Sequence, residues 1–326
     1  AQRIIQKAEG ENFEAAGSIS TSVQSTAVMT SNGHYVHQAD SRSSALTVIN
    51  RAGQAGFGTG YSEMNHRDID SIDAESIASE ALNISKMNHD PESLDTGSYR
   101  VVLSPIAMST LVFYLSWMSF HATVIETDQS FISGKFGQIV LDKKFSISEN
   151  ARDGRNFGRA FDWEGYPTQQ TDIIEDGRAN EVVYDTITAK KAGKRSTGNA
   201  LGHDRDKYYS SPMTENLIVK AGSQSVEEMI KSTNDGIYIH RLWYVREINF
   251  KEASVTGMTR DGTFAIKNGK ISQALHNLRF SVSLVDIFNS IEAIGDKLHL
   301  SETSNGTVMT PAMKLSRFFI SGSSVY

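Results

Sequence analysis

The chain has 326 residues, 32 Lys+Arg against 38 Asp+Glu for a net charge of -6, and no cysteine. The missing cysteine excludes disulfide scaffolds, zinc ribbons, iron–sulfur clusters and thiol nucleophiles, and the acidic balance argues against a surface for phosphate backbones. A hydrophobic fraction of 39% excludes wholesale disorder, and the length suits two domains or one large one.

The front reads as β-rich. Thr26–Thr30 and His34–Gln38 flank Ser31-Asn32-Gly33, a type I′ hairpin signal. Ala45–Asn50 and Phe57–Met64 continue the strands. Asp73–Met87 reads as an amphipathic helix capped by Asp73, with Ile77, Ala78, Ala81, Leu82 and Ile84 on its apolar face. Asn88–Ser98 is a polar loop. Val101–Met118 is the longest apolar stretch, and its length nears that of a membrane span. Ser104-Pro105 divides it, with Ser as N-cap and Pro at the first helical position. Val101–Leu103 then forms a short buried strand. Pro105 to His121 forms a helix that is apolar on nearly every face, as inside a protein core. No other segment supports a membrane reading and the first residues do not resemble a signal peptide, so a cytoplasmic protein is expected.

Ser130–Arg159 reads as irregular, apart from a strand near Gln138–Leu141. Thr171–Glu175 and Arg178–Tyr184 form a hairpin around Asp176-Gly177. Asp185 caps a short helix to Ala192, which Gly193 ends. Asn216–Lys220 is a strand, and Ser225 with Glu228 forms a capping box for Val226–Lys231. Ile237–Phe250 is a long aromatic and β-branched strand region. Thr263–Ile266 and Lys270–Ser272 flank a hairpin at Asn268-Gly269. Ser283 with Asp286 opens a last helix, closed by Gly295. No fixed-period repeat occurs. Hairpins with interspersed helices, without regular βαβ alternation, predict an α+β fold with mostly antiparallel sheets.

Local motifs for chemistry are sparse. G-x-G-x-x-G after a strand, a Walker loop, G-x-S-x-G and H-E-x-x-H are all absent. His34 and His37 lie an odd number of residues apart on a strand, hence on opposite faces, and do not share a metal. His121 and Glu126 are spaced five apart, which matches no good helical pair. His203-Asp204-Arg205-Asp206 reads as a solvated loop, although Asp204 and Asp206 are of the type that ligates a hard cation. Tyr238, Trp243, Tyr244 and Phe250 read as core packing in preference to a peptide groove.

Several ordered segments carry a resemblance. They are Phe161-Asp162-Trp163-Glu164-Gly165, Asp172-Ile173-Ile174-Glu175-Asp176-Gly177, Thr188–Gly193, Ser196–Ala200, Glu215–Val219, Asp235–Tyr238, Val255-Thr256-Gly257 and Ile266–Ile271. In this order and spacing the chain resembles the TldD/PmbA family, once called modulators of DNA gyrase. The match is clearest from Gly158 to His299 and is weaker but collinear from about Ser22 to Arg100.

The resemblance implies a fold with an N-terminal domain before a larger, β-rich C-terminal one. Residues 1–98 would hold the end of the N-terminal region with the hairpins and connecting helix, and residues 99–326 the C-terminal domain. It also implies a TldD–TldE zinc metallopeptidase acting on peptides and unfolded or small proteins. There the TldD-type subunit carries zinc on H-E-x-x-x-H, completed by a later Cys, and the PmbA/TldE-type subunit lacks the ligands. Val101-Val102-Leu103-Ser104-Pro105 matches the strand and helix start before that motif. Counting forward, the two His positions hold Phe113 and Met118, and the Glu position holds Tyr114. The expectation is therefore a metal-free subunit with no catalytic residues. Its partner would be a zinc-bearing TldD-type paralogue or a second copy, its substrate a peptide, and it would make no direct nucleic-acid contact. Two alternatives are a self-sufficient hydrolase using His121, Glu126, His203, Asp204 or His240, and a regulator of DNA gyrase.

Overall fold

The computed structural model describes residues 1–52, 58–201 and 211–324. Helix α1 (Gln2–Glu9) leads into a hairpin of two 17-residue strands, β1 (Phe13–Met29) and β2 (Tyr35–Arg51). Strand β3 (Gly60–His66) pairs with β2 and completes a three-stranded sheet, β1-β2-β3. The hairpin is much longer than the short segments read from the sequence, because Ser and Thr fill exposed strand positions that carry no apolar signal. Its turn is also different. Gly33 is left-handed at φ +81, but Asn32 is not. Gly33 N–H donates to Thr30 O at 3.0 Å and Thr30 N–H to His34 O at 2.9 Å, which makes a three-residue loop in place of type I′.

Helix α2 (Ala74–Met87) covers one face of this sheet. Asp73 caps it, accepting from the N–H groups of Glu75 and Ser76 at 3.0 and 3.1 Å. Ile77, Ala78, Ala81, Leu82 and Ile84 are all buried, as the periodicity predicts. The sheet and helix touch at Gly60. A Cβ there would stand 2.0 Å from the Ala81 carbonyl oxygen.

Downstream, β4 (Gly97–Leu103) runs into α3 (Pro105–Ser119) and α4 (Ala122–Glu126). Then follow β5 (Ile147–Asn150), β6 (Gln170–Glu175), β7 (Arg178–Ala179), α5 (Thr186–Lys191), β8 (Asn216–Val219) and α6 (Val226–Lys231). The last third contains β9 (Asp235–Asn249), β10 (Ser254–Lys267), β11 (Lys270–Ala274), β12 (Asn277–Ser283) and α7 (Leu284–Phe288). It ends with β13 (Ile291–Ile294), β14 (His299–Thr303), β15 (Gly306–Thr310) and β16 (Met313–Ser324).

Strands β10, β12, β16, β4 and β9 pair in that order, and β9 pairs again with β10, so the five close a ring. A second sheet runs β14-β15-β8-β5-β6-β7. Among the named strands of the described residues the parallel pairs are β4–β9 and β15–β8, so the architecture is α+β with mostly antiparallel sheets. The main core joins the ring to α3 through Val101, Leu103, Leu111, Leu115, Ile239 and Phe280.

Two of the predicted hairpins have type I′ turns, with positive φ at Asp176, Gly177, Asn268 and Gly269. The predicted capping box is present at Ser225, and the predicted Asp185 cap also forms a box, with Thr188. Three elements differ. The strand read as Arg178–Tyr184 is only β7, which ends at Ala179. Gln138–Leu141 is no strand and contributes only an isolated bridge between Ile139 and Arg178; the strand is β5. Its buried face includes Glu149, a charge where the reading looks for an apolar residue. The last helix also ends at Phe288, well before Gly295, because Ile291–Ile294 pairs with β16. No helix among the described residues is long and apolar enough to cross a membrane.

The contact at Gly60 yields a prediction. Gly60→Ala is expected to lower the unfolding free energy by about 1–3 kcal/mol or more in urea titration, because backbone must move. Gly154→Ala, which meets open space at a negative φ, is expected to stay within about 0.5 kcal/mol of wild type.

Candidate functional site

Helix α3 begins where Ser104 accepts the Ala107 N–H at 3.1 Å and donates to the His240 carbonyl. This cap ties the helix start to β9. Met118, for which the resemblance implies one His position of the zinc motif, is fully buried in the core. Tyr114, for which it implies the Glu position, is half-buried and donates its hydroxyl to Val245 O at 2.5 Å. Phe113, for which it implies the other His position, is half-buried and stacks against Trp117 at 6.3 Å, and Trp117 meets Phe250 edge-on at 5.3 Å. These side chains do not fit a zinc ion. They offer a thioether sealed in the core, a phenol already bonded to backbone, and a hydrocarbon ring.

The carbonyl that Tyr114 grips lies on a β-bulge. Register shifts so that Tyr244 and Val245 of β9 oppose Gly257 of β10. Tyr244 is left-handed at φ +55, a strained setting for an aromatic residue. Gly257 is required here, since a Cβ would stand 2.7 Å from the Phe280 ring and 2.9 Å from the Val245 side chain. The bulge turns Trp243 and Tyr244 outward to 43% and 66% exposure, which overturns their reading as core residues. Arg260 sits over Trp243 at 4.6 Å and Arg246 over Tyr244 at 4.9 Å. Tyr238 and Phe250 are packed as expected.

A second polar centre was not legible in the sequence. Glu149 accepts the N–H groups of Glu215 and Asn216 at 3.1 and 2.9 Å and the Asn216 side-chain amide at 3.2 Å. Burial pushes its carboxyl up to about 7, against the pull of those donors. Glu215 pairs with Arg159 at 3.0 Å, and Arg159 covers the Trp163 ring at 4.7 Å. Asp162 accepts from the N–H groups of Glu164 and Tyr166, each at 2.9 Å, and of Ala200 at 3.0 Å. Burial raises its carboxyl nonetheless. Segments that are distant in the chain, around Asp162 and around Ala200, are thus joined by one carboxylate. Beside them a cleft of about 360 Å³ is lined by Arg42, Phe157, Arg159, Asn199, Glu215 and Asn216 among others.

The remaining candidates do not converge. His121 is buried and donates from Nε2 to Trp117 O at 3.0 Å; burial pushes it down to about 4, so it is neutral at pH 7. Glu126 is exposed at the far end of α4 and pairs with Lys191 at 3.3 Å. His240 is fully enclosed between Tyr61 O at 2.8 Å and the Tyr238 hydroxyl at 3.3 Å, and burial holds it neutral. It borders a cleft of about 410 Å³ with Glu80, Tyr238 and His299. His203 and Asp204 lie outside the described residues. His34 and His37 take opposite faces of the hairpin, bonded to Gly165 O and Ser25 Oγ respectively. Among the described residues no three His, Asp or Glu side chains are placed to hold a metal.

Residues 96–322 match the family model described as the PmbA/TldA metallopeptidase C-terminal domain. The chain belongs to the PmbA/TldA metallopeptidase family. An uncharacterised protein of Methanocaldococcus jannaschii is 27% identical over 287 residues, covering 86% of this chain and 64% of that protein. The metalloprotease PmbA of Escherichia coli O157:H7 is 25% identical over 190 residues, covering 57% of this chain and 39% of its own. The crystal structure of TldE from Thermococcus kodakarensis superposes with a TM-score of 0.88 at 19% identity, over 98% of this chain and 72% of that one, which shows the shared fold. This PmbA/TldA-family chain spans between 39% and 64% of the length of these curated relatives.

Two measurements test these arrangements. Tyr114→Phe strips the Val245 carbonyl of its partner and is expected to cost about 1–3 kcal/mol in denaturant unfolding. The Glu149 carboxyl titrates higher in the fold than in the unfolded chain, so the fold binds the extra proton. Its contribution to stability is present below pH 4.5 and is lost as pH rises through about 7. The stability difference between wild type and Glu149→Gln is expected to move against wild type across that window. A difference independent of pH would contradict the assigned environment.

Proposed function

We propose that this chain is a cytoplasmic, PmbA/TldE-like, zinc-free subunit of a TldD–TldE-type metallopeptidase system that acts on peptides or unfolded small proteins. Its role is structural and substrate-guiding. It pairs with a zinc-bearing TldD-type paralogue, or with a second copy, and helps to enclose the site at which the partner works. One observation carries this reading. The helix that follows Val101–Pro105 bears Phe113, Tyr114 and Met118 where the resemblance implies the zinc motif, and their side chains are committed to packing and to a backbone carbonyl. Neither a phenol held in that bond nor a buried thioether activates water as a carboxylate base and imidazole ligands do.

Catalysis from another site is the weaker reading. His121 and His240 are each neutral, buried and bonded to main chain, and neither has a carboxylate partner of its own positioned for a relay. Arg159–Glu215 and Glu149 act as structural ties between strands in this proposal, with the adjoining cleft left to hold chain passing toward the partner.

The test is metal analysis with a peptidase assay. The purified chain is expected to hold far less than one zinc per molecule and to leave an unfolded protein substrate intact. Addition of a TldD-type paralogue is expected to produce zinc-dependent cleavage, which this chain stimulates. Stoichiometric zinc with cleavage by this chain alone would sink the proposal.

A further inference from the structure

The outer face of the strand ring carries an ordered array of arginines, placed there by register. Arg241 of β9 opposes Arg260 of β10, Trp243 opposes Met258, and Arg246 opposes Thr256. On the other side of β10, Met258 opposes Arg279 of β12 and Thr256 opposes Ser281. Side chains directly opposite each other share a face, so these residues stand in three rows across three strands. That face is the outer one, because the alternating Leu242, Val255, Phe280 and Val282 belong to the core. Arg246, Arg260 and Arg279 are exposed.

The bulge at Tyr244 serves this array. Arg241 and Trp243 face outward as odd-numbered residues. Without the extra residue Val245 would follow them outward and Arg246 would turn into the core. The strained backbone of Tyr244 therefore puts a third charge of β9 and β10 on the surface.

Carboxylates are kept off the same face. Asp261 follows Arg260 but is buried, held by Arg241 at 2.6 Å and the Thr59 hydroxyl at 2.7 Å, with Arg260 at 3.7 Å. Glu247 opposes the buried Val255 and so takes the other face. Among the described residues the arginine ion pairs involve neither Arg246 nor Arg279. A chain with a net charge of -6 thus presents a locally basic face.

Three features narrow what fits it. Strands β10 and β12 are each paired on both sides here, so the middle of the face is read through side chains and not through a free strand edge. The guanidinium groups bond carboxylates through paired N–H donors, and two of them rest on the Trp243 and Tyr244 rings, which reduces the ordering cost of binding. The rows repeat at about 7 Å, the spacing of alternate side chains in an extended peptide. A nucleic acid would run past a face of about 10 by 14 Å onto the acidic remainder of the chain, whereas a short acidic segment ends within it.

We propose that this face docks an acidic, unfolded stretch of polypeptide substrate, whose carboxylates are bonded by Arg246, Arg260 and Arg279. The inference rests on the substrate-guiding reading given above and names the class of segment that this chain selects.

Fluorescence anisotropy of the purified chain tests it. The probes are a labelled peptide of alternating Glu and Tyr, the same peptide with Gln in place of Glu, and a single-stranded thymidine oligonucleotide. The Glu peptide is expected to bind at micromolar concentration in low salt, roughly tenfold tighter than the other two, and to weaken as salt rises. Arg246→Glu with Arg279→Glu is expected to weaken it roughly tenfold, with far-UV circular dichroism unchanged. The milder pair Arg246→Gln with Arg279→Gln is expected to lose most of the same affinity. Arg152→Glu with Arg195→Glu changes net charge equally at exposed positions outside these strands, and is expected to stay within about twofold of wild type. A Glu peptide that does not bind overturns the proposal. So do equal binding of the Glu and Gln peptides, tighter binding of the oligonucleotide, and equal losses at the two pairs of Glu substitutions. Binding to this chain alone is read, and not zinc or cleavage, so failure here is distinct from failure of the zinc-free reading.

Discussion

Helix α3 has no face suited to water, and the rest of the structure is arranged around enclosing it. An all-round apolar helix is stable only when other elements cover every side. Here the five-stranded ring supplies one wall and the second sheet and α4 supply others. The helix start is fastened where Ser104 caps Ala107 and bonds to His240 O, and its middle where Tyr114 holds Val245 O. The bond at Val245 reaches a bulge, so the same interaction that seats the helix also fixes where Trp243 and Tyr244 project. Aromatic packing at Phe113, Trp117 and Phe250 fills the space between them.

Polar groups inside such a body are tolerated only when bonded. Glu149 is the plainest case. Its carboxyl is fully buried, and three donors from Glu215 and Asn216 join β5 to the start of β8. Asp162 plays the same part for loops, gathering the N–H groups of Glu164, Tyr166 and Ala200. These carboxylates give physical content to several of the segments that carry the family resemblance. The backbones around Asp162 and Ala200 meet through one carboxylate, and those at Glu215 and Asn216 meet β5 through another. A similar economy applies to His240, whose two ring nitrogens are used up between Tyr61 and Tyr238 at the seam with β3.

Short-range chemistry was well read from the residues. Asp73, Ser104, Asp185 and Ser225 cap helices as their side chains dictate, and Asp176-Gly177 and Asn268-Gly269 turn as type I′. The structure departs from these local signals where long-range pairing competes with them. Ser31-Asn32-Gly33 has the composition of a tight turn, but Asn32 stays out of the left-handed region and Gly33 alone adopts it. Strand β5 carries no clean strand signal because Glu149 interrupts its apolar alternation. Strand β13 was absorbed into the preceding helix, since Ile-Glu-Ala-Ile suits either state until β16 lies beside it. The bulge at Tyr244 leaves one trace in the sequence, the glycine of Val255-Thr256-Gly257, and that trace cannot be read without the facing Phe280 and Val245.

The sequence by itself determined the class of the fold, the caps and two of the turns. It also determined that no cysteine is available. Each of these follows from the identity of a residue or of close neighbours. Tertiary structure alone decided that β9 returns to β10, that Glu149 is buried with its donors, and that Trp243 and Tyr244 face outward. Those outcomes depend on pairings between residues far apart in the chain. A strand's composition states that it will pair, but the partner and register are set only when the whole set of strands competes for edges and for the enclosed helix.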